Sequence, residues 1–241
     1  MLISGAAIAD STLTPGLRIA SDALGYDLQY RVYLPDGYES KVYLPVLFIT
    51  GGQSYIENGR VPVVLDRLIE AGRIEPLITV IVDPRDPDNL RNNRRNQQFM
   101  CNADYLKFFS EELIPTIEHV YPAAPDRAHR TILGLSFGGL NAACFGLMGH
   151  EIFSGIGMHS PANHPVPEML TGYETSPVLP LKMFLSTGEP SDNTRANRSF
   201  RRMLREKGYP LKYIEVPYGH NWDNWKPLID DVLLYFYGSM N

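Results

Sequence analysis

The sequence predicts an α/β protein: a mostly parallel, doubly wound sheet with helices on both faces. Three observations carry this. Apolar runs of strand length alternate along the chain with segments of helical period. Several of those runs are apolar without interruption, as strands covered on both faces must be. The chain has 241 residues, 44% hydrophobic and 20% charged, which suffices for a substantial core, and it shows no repeat, low-complexity tract or linker. One domain over residues 1–241 is the reading that follows.

Taken in order, residues 28–34 (LQYRVYL) alternate polar and apolar and predict a half-exposed edge strand. Residues 45–50 (PVLFIT) predict a buried strand, followed by a loop at Gly51 and Gly52. Residues 62–71 predict a helix with Pro62 in its first turn, where a missing N–H is tolerated. Residues 77–82 (LITVIV) predict another buried strand, and 83–100 a long polar loop leading to a helix capped by Asn102. A strand ends at 131–134, a small-residue helix covers 138–148, and 153–158 and 182–186 predict further strands. A charged amphipathic helix over 194–207, a strand over 211–216 and a helix over 225–237 close the chain. Right-handed crossovers would wind these elements into one open sheet, whose ligands bind at the carboxyl ends of the strands.

The formal net charge is −5, so nothing draws the protein to nucleic acid or to an anionic membrane. No apolar run approaches the ~20 residues a bilayer span needs. The opening MLISGAAIADSTLTPG lacks the basic start and long apolar stretch of a signal peptide. The chain therefore reads as cytoplasmic, or as secreted or periplasmic with a leader removed. Two cysteines, Cys101 and Cys144, are too few for a disulfide scaffold, and no bridge is expected between them.

Gly134-Leu135-Ser136-Phe137-Gly138 matches G-x-S-x-G between a predicted strand and a predicted helix. A serine on so sharp a turn projects above the sheet, with flanking glycines removing β-carbons that would clash. A hydroxyl becomes nucleophilic only when a base takes its proton. His220, in a loop between the last strand and the last helix, is the best base. Serine first and histidine last is the chain order of α/β-hydrolases. His159 is the runner-up. The acid that orients the base belongs near the end of the strand predicted over 182–186, where Asp192, about four residues past Gly188, is preferred and Glu189 is the alternative. Two backbone N–H groups must meet the oxyanion. Phe137, next after the nucleophile, offers one and Gln53, after the first buried strand, the other. None of this chemistry requires a metal or cofactor.

Three arginines, Arg91, Arg94 and Arg95, cluster in the long polar loop, where they either receive an anionic or catecholic substrate or remain solvated. The arginines at 195, 198, 201, 202 and 205 read as a solvated helix face. Trp222 and Trp225 flank the histidine loop and either line a pocket for a ring-bearing substrate or pack over that loop. Residues 160–180 hold prolines at 161, 165, 167, 177 and 180 and show no helical period, which predicts an open site without a helical lid.

The stretches PVLFITGGQSYIENG, CNADYLKFFSEELIPTIE, GLSFGG, RAN at 195–197 and GHNWDNW resemble the esterase D family of α/β-hydrolases, within it the catalytic domain of enterochelin (ferric enterobactin) esterases. The resemblance runs from about residue 30 to 237. It implies an α/β-hydrolase fold and metal-independent ester hydrolysis, and it places the nucleophile at Ser136 and the base at His220. The chain departs from the family in carrying Asn221 after the histidine, where an acidic residue is usual, and Gln98 where an Arg-x-x-Glu pattern ends in glutamate. Enterochelin esterases also carry an N-terminal domain, for which this chain has no evident room. Feruloyl and acetylxylan esterases belong to the same broad family. The expectation is a serine carboxylic ester hydrolase acting through an acyl-enzyme on a soluble ester, of siderophore type or aromatic. The alternatives are a carbohydrate esterase and an acyltransferase on the same scaffold.

Overall fold

The computed structural model describes residues 11–239; residues 1–10, which begin the stretch read for a leader, and residues 240–241 lie outside them. The chain opens with strands β1 (Thr12–Leu13), β2 (Leu17–Ser21) and β3 (Tyr26–Leu34). Strand β4 (Val46–Thr50) leads into helices α1 (Gly52–Glu57) and α2 (Val61–Glu70), then β5 (Ile78–Asp83). A hairpin of β6 (Arg85–Asp86) and β7 (Asn89–Asn93) precedes α3 (Arg95–Gln98) and α4 (Ala103–Lys107), which continues through a π-type turn at Phe108–Leu113 into α5 (Ile114–Val120). The second half runs β8 (Arg130–Leu135), α6 (Phe137–Met148), β9 (Gly155–His159), α7 (Pro167–Thr175), β10 (Lys182–Gly188), α8 (Thr194–Lys207), β11 (Leu211–Val216), α9 (Trp222–Trp225) and α10 (Leu228–Tyr237).

Among the described residues the main sheet has the order β1-β3-β5-β4-β8-β9-β10-β11, with β2 also on β3. Strands β5, β4, β8, β9, β10 and β11 are parallel, and β3 joins β5 antiparallel. This is the α/β-hydrolase fold. Alternate residues of the central strands feed two separate cores, as a pleated sheet covered on both sides requires. Phe48, Val80 and Ile132 meet Phe109, Phe145 and Phe200 on one face. Leu47, Ile49, Ile81 and Leu133 meet Leu65, Leu68, Ile229 and Val232 on the other. From β4 the chain first moves to β5 and later returns to β8 on the opposite side, so the topological switch point lies between β4 and β8. The turns after those two strands begin at Gly51 and Ser136.

Several expectations change. The alternating strand at 28–34 is not an edge: β5 lies on one side, and β1 and β2 cover the other. The double glycine is not the start of a loop, because α1 begins at Gly52, whose missing side chain lets the helix press on β5; a Cβ there would stand 2.2 Å from Ile81 Cγ2. The polar stretch 83–100 folds into the hairpin and α3. Asn102 caps α4 as expected, accepting from the Tyr105 N–H. Residues 160–180 do contain a helix, α7. Its Pro167 sits at the helix start and the remaining prolines fall outside it, so they delimit the helix rather than break it. Tyr173 anchors α7 to α6 by a 2.8 Å bond to the Ala143 carbonyl. Cys101 and Cys144 are joined by a disulfide, with Cα atoms 5.0 Å apart across 43 residues of sequence. The bridge ties the chain ahead of α4 to the middle of α6, a proximity that spacing alone does not reveal.

Candidate active site

Strand β8 ends at Leu135, and the chain turns at once into α6. Ser136 stands at the bend with φ 55 and ψ −119, a conformation costly for a residue with a side chain. Packing enforces it. A Cβ on Gly134 would lie 2.2 Å from the Gly138 carbonyl oxygen, so only glycine permits so close an approach. The Ser136 N–H donates to the His159 carbonyl at 2.9 Å, and its own carbonyl accepts from Ala162 at 3.1 Å.

The Ser136 hydroxyl lies 2.8 Å from His220 Nε2. Nδ1 of the same ring lies 2.6 Å from Asp192 Oδ1. A neutral imidazole satisfies both contacts only with its proton on Nδ1, donated to the carboxylate, leaving Nε2 to accept from the serine. Burial opposes charge on Asp192, but bonds from His220, Ser160 and the N–H groups of Gly188 and Asn193 outweigh it and hold the carboxyl down at about 2. The Asp192 carboxyl is therefore an anion at neutral pH. It does not cap α8; Asn193 occupies that position.

Glu189, the alternative acid, turns away and pairs with Arg198 at 2.6 Å. Arg198 also pairs with Glu215, and Arg201 stacks on Tyr213, while Arg195, Arg202 and Arg205 are exposed as the solvated-face reading expects. His159 is fully buried, with Nδ1 2.9 Å from the Ser186 hydroxyl; burial holds its pKa down at about 3. It packs against Phe184 as a neutral core histidine.

A cleft of about 250 Å3 opens beside Ser136, lined in part by Gln53, Glu57, Arg85, Arg95, Phe99 and Phe137. The N–H groups of Phe137 and Gln53 lie in the first turns of α6 and α1, where no carbonyl of their own helix can accept from them. The three arginines separate. Arg95 lines the cleft with its guanidinium over the Phe137 ring at 5.6 Å. Arg94 pairs with Asp86 at 2.6 Å and stacks on Tyr26. Arg91 is exposed on β7 and does not line the cleft. Trp222 does not line it either; it packs edge-on against Tyr55 and Trp225. No residue of 160–180 lines the cleft, so α7 does not cover it.

Sequence reasoning missed Ser160, Thr187 and Asn224, which all bond to Asp192. Nothing in their spacing signals this, because they come from the ends of β9 and β10 and from α9. Asn221 is explained by its cap: its side chain accepts from Asp223 and Asn224 at the start of α9. Among the described residues no cluster of His, Cys, Asp and Glu is suited to hold a metal ion. No helix there is long and apolar enough to cross a membrane.

The family model described as "Putative esterase" matches residues 21–183. The chain belongs to this esterase family. It is 32% identical over 110 residues to the iron(III) enterobactin esterase of Escherichia coli K12, covering 45% of this chain and 26% of that protein. It is 25% identical over 223 residues to an endo-1,4-beta-xylanase/feruloyl esterase of Xylanibacter ruminicola, covering 87% of this chain and 29% of that one. The esterase thus spans less than a third of the length of these curated relatives. Among solved structures, a ferulic acid esterase superposes with TM-score 0.83 at 22% identity, covering 95% of this chain and 98% of that one. The enterobactin esterase of Shigella flexneri superposes with TM-score 0.81 at 22% identity, covering 92% and 59%. The esterase shares its fold with both.

Proposed function

We propose that this esterase is a serine carboxylic ester hydrolase, working as a single catalytic domain on soluble esters that carry an aromatic, phenolic group. The observation that carries the reading is the continuous relay from Ser136 through His220 to the ionised Asp192. Ser136 Oγ attacks the ester carbonyl while His220 Nε2 takes its proton. The N–H groups of Phe137 and Gln53 receive the oxyanion. The resulting imidazolium, stabilised by Asp192, protonates the leaving alcohol, and an acyl-enzyme on Ser136 remains. His220 then activates water to release the acid. With 31% of its side chain exposed, the imidazole is within reach of solvent water.

Phe99, Phe137 and Arg95 supply an apolar wall and a cation beside the nucleophile, which suits a phenolic ring. The names of the relatives, feruloyl and enterobactin esterases, agree with such a group. The Cys101–Cys144 bridge favours an oxidising compartment over the cytoplasm. The test is labelling by a serine-directed phosphonate, with peptide mapping, beside turnover of p-nitrophenyl acetate, methyl ferulate and a ferric catecholate triester. Wild type should be labelled at Ser136, and Ser136→Ala should lose both label and turnover while melting normally. Labelling elsewhere would reject the assignment.

A further inference from the structure

We infer that Ser160 is a positioning residue for the acid: its hydroxyl, oriented by Trp225 and Asn224, locks the Asp192 carboxylate so that Oδ1 faces His220. The inference rests on the relay just proposed.

Ser160 directly follows β9, is fully buried, and has φ 44, in the left-handed region that a serine occupies at a cost. Its hydroxyl has one proton to give and two lone pairs. The indole N–H of Trp225, a donor only, points at Oγ from 2.9 Å. The side-chain amide nitrogen of Asn224 lies 3.2 Å from the same oxygen. That nitrogen is fixed as the donor end because it also meets Asp192 Oδ2 at 3.1 Å and the Gly219 carbonyl at 3.1 Å, both acceptors. The two amide protons of Asn224 are shared among three acceptors, but Trp225 and this nitrogen can only donate toward Oγ, so Ser160 directs its own proton to Asp192 Oδ2, 2.6 Å away.

Oδ2 also accepts from the Gly188 N–H at 2.5 Å and lies 3.3 Å from the Thr187 hydroxyl, whereas Oδ1 is left to His220 and the Asn193 N–H. The two oxygens are thus distinguished: one is held by the protein and the other is presented to the base. Trp225 acts twice. Besides orienting Ser160, its ring stands edge-on to the His220 ring, with centroids 4.9 Å apart at 89°. The same turn braces the nucleophile through the His159 carbonyl and the Ala162 N–H. One short segment therefore joins the backbone of Ser136 to the carboxylate of Asp192. A ring turned slightly from its productive angle slows proton transfer without weakening substrate binding.

The test uses the intact protein and two variants. Ser160→Gly removes the hydroxyl at a backbone angle glycine accepts readily, and Trp225→Phe keeps a ring beside His220 but deletes the indole N–H. Both should lower kcat, by roughly 10- to 100-fold for Ser160→Gly and less for Trp225→Phe, with KM unchanged. The far-downfield proton resonance of the His220–Asp192 bond should shift or broaden in both. A folded Ser160→Gly with wild-type kcat and an unchanged resonance would overturn the inference, as would an effect on KM alone. Should Ser160→Gly not fold, Trp225→Phe decides by the same criteria. Phosphonate labelling of wild type at Ser136 separates the two levels. Without that label the relay reading fails; with it and an indifferent Ser160, only the positioning role fails.

Discussion

His220 Nδ1 and Asp192 Oδ1 meet at 2.6 Å, across a boundary between a carboxylate side chain with no exposure and an imidazole that is 31% exposed. In the proposed relay the base can therefore reach substrate and water, while the charge that orients it is sealed from solvent. Glu189, three residues earlier, has the same charge but spends it on Arg198. Asp192→Asn should therefore lower kcat by about 10³-fold or more, since an amide cannot hold the imidazole in the required tautomer. Glu189→Gln should change kcat less than about threefold, because it loosens only a surface ion pair. Steady-state kinetics on one soluble ester compares them, and a larger loss at Glu189 would reverse the assignment.

The same carboxyl makes stability depend on acid. Its folded pKa of about 2 lies below the value near 3.9 usual for an unfolded aspartate. A depressed folded pKa contributes stability above the unfolded value and loses it as pH falls through the folded one. Wild type should thus lose its advantage over Asp192→Asn progressively between roughly pH 4 and pH 2. Glu215, held down at about 2 by its bonds to Arg198, titrates in the same window, but it is present in both proteins and cancels in the difference. Urea titrations of the two proteins over that range give the measurement. A gap between them that stays constant with pH would contradict the assignment of this titration to Asp192.

The outlines of this architecture were legible because they rest on local signals. Residues 45–50 and 77–82 are uninterrupted apolar runs, and G-x-S-x-G marks the strand-to-helix turn at Ser136. What escaped depends on neighbours in space. Tyr26–Leu34 alternates like an edge strand, yet the short segments at residues 12–21 cover it, and their few residues carry too little periodicity to be read. The hairpin Arg85–Asn93 is polar apart from Pro87 and an exposed Leu90 and looks like loop, because it is held by pairing rather than by burial. Arg91, Arg94 and Arg95 look alike in sequence; only Asp86 and Tyr26, at hand for Arg94, set it apart from Arg95. Ser160 had no signal at all, since its partners lie 32 to 65 residues away.

The Cys101–Cys144 bridge closes a loop of 43 residues and pins the chain behind Phe99 to the helix that carries Ser136 at its start. Restricting the unfolded chain over such a loop is worth about 4 kcal/mol in the chain-entropy account. Reduction, or paired replacement of both cysteines by alanine, should lower the melting temperature by several degrees while leaving the native kcat below the transition nearly unchanged. Thermal melts with and without reductant measure this. An identical melting temperature in both states would show that the bridge contributes nothing in solution.

Arg95 gives the sharpest test of substrate class, because its two neighbours act as internal controls. Its guanidinium faces the cleft over the Phe137 ring, whereas Arg94 is committed to Asp86 and Tyr26, and Arg91 lies exposed on the hairpin. A charge-assisted contact from Arg95 to a phenolate or carboxylate at a partly exposed site is worth on the order of 1.4 kcal/mol, about tenfold in affinity. Arg95→Ala should therefore raise KM about tenfold for an anionic or catecholic ester, and much less for a neutral ester of equal size. Arg94→Ala should instead lower stability by on the order of 1 kcal/mol through the lost ion pair and ring stacking, with little selectivity between substrates. Arg91→Ala should alter neither. Paired KM measurements on matched anionic and neutral esters, with a melt for each variant, separate these outcomes. Equal effects of Arg95→Ala on both esters would remove the cation from the recognition site and leave Phe99 and Phe137 as its only ring contacts.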